Sequence, residues 1–425
     1  MLKTILLICF AAASYGQQTV DFSSFEKAEN IDFNSLYPAL ILKHNIGRFY
    51  KLPKNPVLSP TRNSWDADDT ADPFVYVTAD SIYLFYDGSR DVKYSIGYAV
   101  RTNDGWGWQK RKQILVPDFE KWRSFHLIAP LIVPNTNLLI YNGNSSDSEL
   151  GYQTGIAGKS NNIWHFLSGA PHLKRNNQQW DFAGNAYQDV VYLPSKKKYL
   201  MFYSGFTGPL SSIGLAESSD GINWLQKEEP VLKSPPGVIA PTVIFNGEKF
   251  LMYYVQLDIN KGYRTFINSA VSSDGLSWQK RENILKPDNR WEGTRLMRPN
   301  LSYFENQYHL FYCAQYGSHW QIGEAIADAS FSEKGDWLSK RIAYQPSEII
   351  IRFEQPVSCA LILELLDENL QVLKEIKPLD DKEIIRNGVY RSTIKTSGIN
   401  FSRIRIKFNS NNRARSPLIY SISLK

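Results

Sequence analysis

One apolar string recurs five times along the chain, as "IYLFYDG", "LLIYNGN", "YLMFYSG", "FLMYYVQ" and "YHLFYCA". The tyrosines at its shared position, Tyr86, Tyr141, Tyr203, Tyr254 and Tyr312, are separated by 55, 62, 51 and 58 residues. A repeat of this length builds stacked supersecondary units, because each unit can bury its apolar faces only against its neighbours. Upstream of each string stands a second one, "DPFVYV", "APLIVP", "DVVYLP", "APTVIF" and "RPNLSY". Counted from Pro73, Pro130, Val190, Pro241 and Pro299, the following tyrosine comes 13, 11, 13, 13 and 13 residues later. A third element follows in four units, "IGYAV", "TGIAG", "IGLAESSDGINW" and "SAVSSDGLSW", with Ser-Asp-Gly supplying a tight turn and Trp224 or Trp278 a packing anchor. A fourth reads "KQILVP", "APHLKR", "EPVLKSP" and "ENILKP".

Units of four short antiparallel strands repeated five times predict an all-β chain built as a five-bladed β-propeller. The fifth unit has no fourth string downstream, but "NPVLSP" at 55–60 is that string placed near the N-terminus. A ring closed this way leaves no exposed sheet edge at the junction. After "FSEKGDW" the repeat stops, and residues 340–425 alternate in short apolar runs such as "SEIIIRFEQ" and "SRIRIKFN". These predict a small β-sandwich domain following the propeller. The expected boundaries are a signal peptide at 1–16, an N-terminal segment at 17–49, the propeller at 50–338 and the sandwich at 339–425.

The first residues, "MLKTILLICFAAASYG", join a lysine, an apolar run and small residues at Ser14 and Gly16, the pattern of a cleaved export signal. A secreted or periplasmic location follows. The net charge of +6 falls to +5 without that leader, and no basic cluster suggests nucleic acid as a partner. No later stretch approaches the roughly 20 apolar residues of a membrane helix. Cys313 and Cys359 stand far apart once Cys9 leaves with the leader, and no metal-binding spacing appears, so neither a disulfide framework nor a required cofactor is expected. Oligomeric state has no signature in the sequence.

In a propeller the first strands line the centre, and chemistry belongs at their entry. The residues before the marked positions are Asp72, Ala129, Asp189, Ala240 and Arg298. Over residues 50–335 the chain resembles the five-bladed glycoside hydrolases, families 43 and 32 and their relatives. Family 43 opens its first four blades with Asp-Pro, Ala-Pro, Asp and Glu-Gly-Pro. This sequence has Asp72-Pro73, Ala129-Pro130, Asp189 and Ile239-Ala240-Pro241. The resemblance implies that Asp72 is the general base or nucleophile and that Asp189 orients the sugar and holds up the pKa of a partner acid. The chemistry agrees, since carboxylates across a pocket stabilise an oxocarbenium-like state.

The family's acid glutamate is replaced by Ile239, which cannot donate a proton. His126, Glu292 and His319 are the substitutes within reach of the same face, a histidine near its ordinary pKa being able to act as acid at neutral pH. Asp69, Arg295, Arg298, His319, Trp320 and Trp65 are the candidate substrate-binding residues: the tryptophans to stack on sugar rings or to pack the blades, the arginines to grip an anionic group or to pair with the aspartates. Asp66, Asp68 and Asp69 with Asp72 offer a possible structural Ca²⁺ site, without the glycine and distal glutamate of a known loop. The expected function is a secreted glycoside hydrolase acting on a carbohydrate partner. The alternative is a carbohydrate-binding propeller that lost its acid.

Overall fold

The computed structural model describes residues 18–22, 25–33, 40–102, 107–146, 151–173, 175, 180–208, 210–259, 262–305, 307–386, 388–411 and 415–425. The leader expected at 1–16 lies outside them. No described helix is long and apolar enough to cross a membrane.

The repeated apolar strings form the second strands of five antiparallel units: Ile82–Arg90, Leu138–Asn144, Lys198–Phe206, Phe250–Asp258 and Gln307–Tyr316. Their five tyrosines have no exposed surface, because second strands are covered on both faces by neighbouring units. The first strands are Asp69–Val77, His126–Ile132, Gly184–Leu193, Val238–Phe245 and Leu296–Phe304. They contact one another in a closed circuit, each touching the next and the fifth returning to the first. The third strands are Lys93–Arg101, Gln153–Ser160, Ser211–Ser218, Arg264–Ser272 and His319–Phe331.

Fourth strands are shorter in the first three units, Trp108–Lys110, Ile163–Phe166 and Leu225–Gln226, while the fourth has Gln279–Leu285. The fifth unit is completed by His44–Lys51, which pairs with His319–Phe331. The closing strand therefore lies upstream of the 55–60 string expected to close the ring. That string also joins the fifth unit, bridging Leu58 to Ile322 as Leu115 bridges Ile96, Leu173 Thr154 and Leu232 Ile213 in the first three units. "HNIGRFYK" alternates too weakly to read as a strand by itself. Its pairing is decided by the edge that the fifth unit presents.

Two further sheets share an apolar core that continues into the fifth unit. One runs in the order Lys382–Arg386, Val389–Lys395, Glu348–Glu354, Leu418–Leu424, Leu40–Leu42, Ile31–Phe33. The other runs Phe25–Glu29, Lys334–Ser339, Arg403–Ser410, Cys359–Leu366, Val372–Ile376. Both contain strands from the N-terminal segment, so that segment is built into the C-terminal sheets rather than standing apart. The turn after Phe331 passes into the second sheet at Lys334, a few residues before the expected boundary at 338.

Three repeated devices lock the units together. Every first strand bulges at the same place, where Asp72, Ala129, Tyr187, Ala240 and Arg298 take φ of 48°, 52°, 53°, 51° and 48°. Left-handed non-glycine residues cost about 1–3 kcal/mol each, and bulges of this kind re-aim side chains. Past the bulge, a polar side chain of one unit accepts a backbone N–H of the next: Asp189 from Val243 at 2.6 Å, Thr242 from Leu301 at 3.2 Å, Asn300 from Val75 at 2.8 Å. The third device is an indole: Trp65, Trp122, Trp180 and Trp291 lie against Tyr86, Tyr141, Tyr203 and Tyr312, with centroids 5.1, 5.9, 5.5 and 6.0 Å apart. Each indole needs a glycine on the third strand. A Cβ at Gly97, Gly155, Gly214 or Gly323 would stand 2.3, 2.6, 2.3 or 2.6 Å from it.

Candidate active site

The bulges converge on an open cavity of about 250 Å³. Asp72, Asp87 and Cys313 line its inner part, and Tyr94, His126 and Tyr152 one wall. Tyr187, Tyr263, Arg295 and Trp320 line it as well, with the Arg295 guanidinium 4.4 Å from the Tyr263 ring centroid.

Asp72 reaches the cavity because its bulge turns the side chain out of the strand ladder. Asp87 comes from the second strand of the same unit, at the residue after the repeated tyrosine. Its Oδ1 accepts the Ala129 N–H at 2.9 Å, as Asn142 accepts Tyr187 N–H and Ser204 accepts Ala240 N–H in the following units. Asp72 and Asp87 stand side by side, close enough for one proton to join their carboxyls. Two adjacent buried carboxyls cannot both ionise near neutrality. Burial pushes Asp72 up to about 6, against the pull of Arg298 and of hydrogen bonds from Asp87 and Cys313. Burial and then the Asp72 charge push Asp87 well above the carboxylate range. Near neutrality the pair therefore holds one proton between its two carboxyls.

Arg298 supplies the counter-charge from below. It is 1% exposed and donates from Nη2 to the Gln188 carbonyl at 2.8 Å, tying the fifth unit to the third. The expected gripping role does not fit this burial. The guanidinium is spent on backbone and on the field at Asp72 and Asp189.

Asp189 does not line the cavity. The residue of the third unit that shares the bulge with Asp72 is Tyr187, because it stands 16 residues before its repeated tyrosine, against 14 for Asp72, Ala240 and Arg298, and Gln188 stands where the other units have proline. Asp189 pairs across to Phe202 just as Phe74 pairs to Phe85. Its carboxylate accepts Val190 N–H at 3.0 Å and Val243 N–H at 2.6 Å, which makes it a joint between units three and four. Burial raises its pKa to about 6 despite those bonds.

Glu292 is also removed from the chemistry. It is fully buried and follows Trp291; Tyr312 donates to its Oε1 at 2.8 Å, while Lys51, Asp288 N–H and Asn289 N–H hold Oε2 at 2.7, 2.9 and 3.0 Å. Asp66 beside Trp65 and Asp181 beside Trp180 play the same part, each accepting from the tyrosine of its unit. Trp65 is thus a packing residue. The signal was present in the sequence as "SWD", "KWR", "QWD" and "RWE", one before each of four units.

His126 does reach the cavity wall. It meets the Val92 carbonyl through Nε2 at 2.9 Å and the Tyr152 hydroxyl through Nδ1 at 2.7 Å, so the neutral ring with its proton on Nε2 suits both partners. Asp69 accepts Ser89, Tyr94 and Trp320 N–H at 2.7, 2.6 and 2.7 Å, bracing unit one against unit five without touching the cavity. His319 is exposed and bonds the Asp68 carbonyl at 2.7 Å, while its neighbour Trp320 lines the cavity. Lys110 binds Asp66, placing a cation where the acidic run could have held a metal; among the described residues no group of three or more metal-ligating side chains could hold one. Asp87 is not among the residues expected from the sequence, where its one mark is "FYDGS", an acid at the place of Asn, Ser, Val and Cys in the other repeats.

No protein-family profile and no curated protein matches the sequence. Solved structures do. The structure of a BT0996 complex with RGII aligns over 68% of this chain and 93% of its own at 18% identity, TM-score 0.56. A glycosyl hydrolase from Bacteroides ovatus aligns over 66% and 94% at 17% identity, TM-score 0.53. A third structure, from work on GH130 mannoside phosphorylases and glycoside hydrolases that target β-1,2 mannosidic linkages in Candida mannan, aligns over 66% and 94% at 17% identity, TM-score 0.55. The chain has the fold of the propeller glycoside hydrolases. Ile239, read from the sequence motif as the replacement of the acid, lies on the first strand of the fourth unit. It is buried in an apolar cluster with Ala240, Val255 and Leu257, against Tyr187, Phe206 and Met297.

Proposed function

We propose that this chain is an exported glycoside hydrolase, a five-bladed propeller followed by a β-sandwich, whose central cavity holds a sugar at the Asp72–Asp87 pair. The observation that carries the reading is the pair itself: a charged and a protonated carboxyl side by side in the cavity where all five units meet. The aromatic rim of Tyr187, Tyr263 and Trp320 suits the apolar C–H faces of a sugar ring. Arg295 adds donors for its hydroxyls or for an acidic substituent.

With Ile239 in the family's acid position, the leaving oxygen takes its proton from Asp87 in this reading. Asp72 removes a proton from the attacking water, the glycosidic C–O bond breaks as the new one forms, and the Asp72 proton returns to Asp87 through their hydrogen bond. Asp72→Asn is expected to lower turnover of aryl glycosides by roughly 10²–10⁴. Asp87→Asn should do the same for poor leaving groups and lose much less with a dinitrophenyl leaving group, which departs unprotonated. Unchanged turnover in Asp72→Asn would refute the assignment.

One observation favours a second reading, a propeller that binds carbohydrate without cleaving it. Glycosidase carboxyls ordinarily stand about 5–9.5 Å apart, on either side of the bond they break. Asp72 and Asp87 are instead immediate neighbours across one hairpin. Saccharide binding without turnover of any activated glycoside would select this reading.

A further inference from the structure

The indole device is missing from one unit. Residues 225–277 contain no tryptophan, and the loop entering the fourth unit reads Pro235-Pro236-Gly237 where the others carry Trp65, Trp122, Trp180 and Trp291. The glycines that make room for the indole are gone as well. In the register of the sheets, Gly97, Gly155, Gly214 and Gly323 stand opposite the repeated tyrosines, and Asn268 stands opposite Tyr254. Gly88, Gly143 and Gly205, also packed on an indole, correspond to Gln256. Gln256 holds the entering loop by hydrogen bonds, donating to the carbonyls of Ser234 and Gly237 at 3.3 and 3.0 Å. Packing has been exchanged for polar side chains, and a cavity of about 590 Å³ stands where the tryptophan would be.

Gln256, Asn268, Asp258, Arg264 and Phe266 line this cavity. With the Gln256 amide nitrogen taken up by backbone carbonyls, the Arg264 guanidinium and the Asp258 carboxylate bring a donor and an acceptor together beside one aromatic face. Sugar hydroxyls, each both donor and acceptor, match such a lining better than an apolar or purely anionic ligand does. The position also matters. Arg264 and Thr294 line this cavity while their chain neighbours Tyr263 and Arg295 line the central one, so a single double-stranded rim separates the two.

We propose that the fourth-unit cavity is a second carbohydrate subsite, which takes a sugar residue of an oligosaccharide whose other part enters the central cavity. The proposal rests on the carbohydrate reading above, but not on hydrolysis. The test uses the full chain, labelled, on an array of short and long plant, fungal and host oligosaccharides. Two variants accompany it: Thr294→Trp, which refills the space from an exposed position, and Arg264→Ala.

Both variants are expected to weaken retention of the longer oligosaccharides by about tenfold or more while turnover of aryl monoglycosides stays unchanged. Equal retention of those oligosaccharides by wild type and Thr294→Trp would overturn the subsite, and so would an array on which wild type retains nothing. Retention lost in Thr294→Trp and kept in Asp72→Asn, without turnover of any glycoside, supports the subsite and refutes hydrolysis. Turnover that Asp72→Asn abolishes, with retention indifferent to Thr294→Trp, refutes the subsite alone.

Discussion

Asp72 is costly to the fold in two ways, a left-handed backbone and a buried charge, and both serve to present one carboxylate to the cavity. A folded-state pKa of about 6 lies above the ordinary carboxylate value, so the folded protein favours the protonated form. The stabilisation this gives is complete below about pH 4 and is lost as pH rises through about 6; Asp189, also raised to about 6, behaves in the same sense. Thermal stability is therefore expected to fall between about pH 4 and 7, and Asp72→Asn to remove part of that slope. Calorimetry across the range measures it. In the proposed mechanism activity runs the opposite way, because a base works as a carboxylate: turnover should rise with pH through about 6. Arg298 pulls the Asp72 pKa down, so Arg298→Gln should move that limb to higher pH in a pH–rate profile. An unmoved limb would mean that another group titrates.

At the scale of strands and loops, two acids that resemble catalytic residues in sequence are joints. Asp189→Ala leaves the Val243 amide without its acceptor, and about 1–3 kcal/mol of stability should go with it. Glu292→Ala leaves Lys51 its bonds to Asp288 and the Lys286 carbonyl but takes the acceptor from the Tyr312 hydroxyl and from the Asp288 and Asn289 amides, for which about 1–3 kcal/mol or more is the expected loss. Denaturant titration gives both values. In each case kcat of the folded protein should stay close to wild type, and a collapse of kcat without loss of stability would restore the catalytic reading. Gly214→Ala should likewise destabilise, since its Cβ would lie 2.3 Å from Trp180.

For the whole molecule, the N-terminal segment is a fastener. Residues 18–51 supply the outer strand of unit five and strands in both C-terminal sheets, and Arg386 of those sheets donates to the Ala79 carbonyl of unit one at 3.0 Å. A chain starting at Leu52 is expected to be insoluble or molten by circular dichroism and size-exclusion chromatography, and residues 340–425 alone should not fold. A folded 340–425 fragment would contradict this. The sequence by itself determined the architecture: five apolar strings at a fixed offset from five others can be buried only by stacking units, and Asp72-Pro73 marks the first of them whatever the rest does. It could not determine which acids share a cavity. Asp189 and Asp72 look alike in strings of the same pattern, yet two added residues in the third hairpin turn Asp189 into a joint. Asp87 meets Asp72 only because antiparallel pairing brings the second strand back beside the first. Alternation and spacing are local and survive in the sequence, whereas the register of a strand against its neighbour depends on hairpin length and on which edge is left to cover.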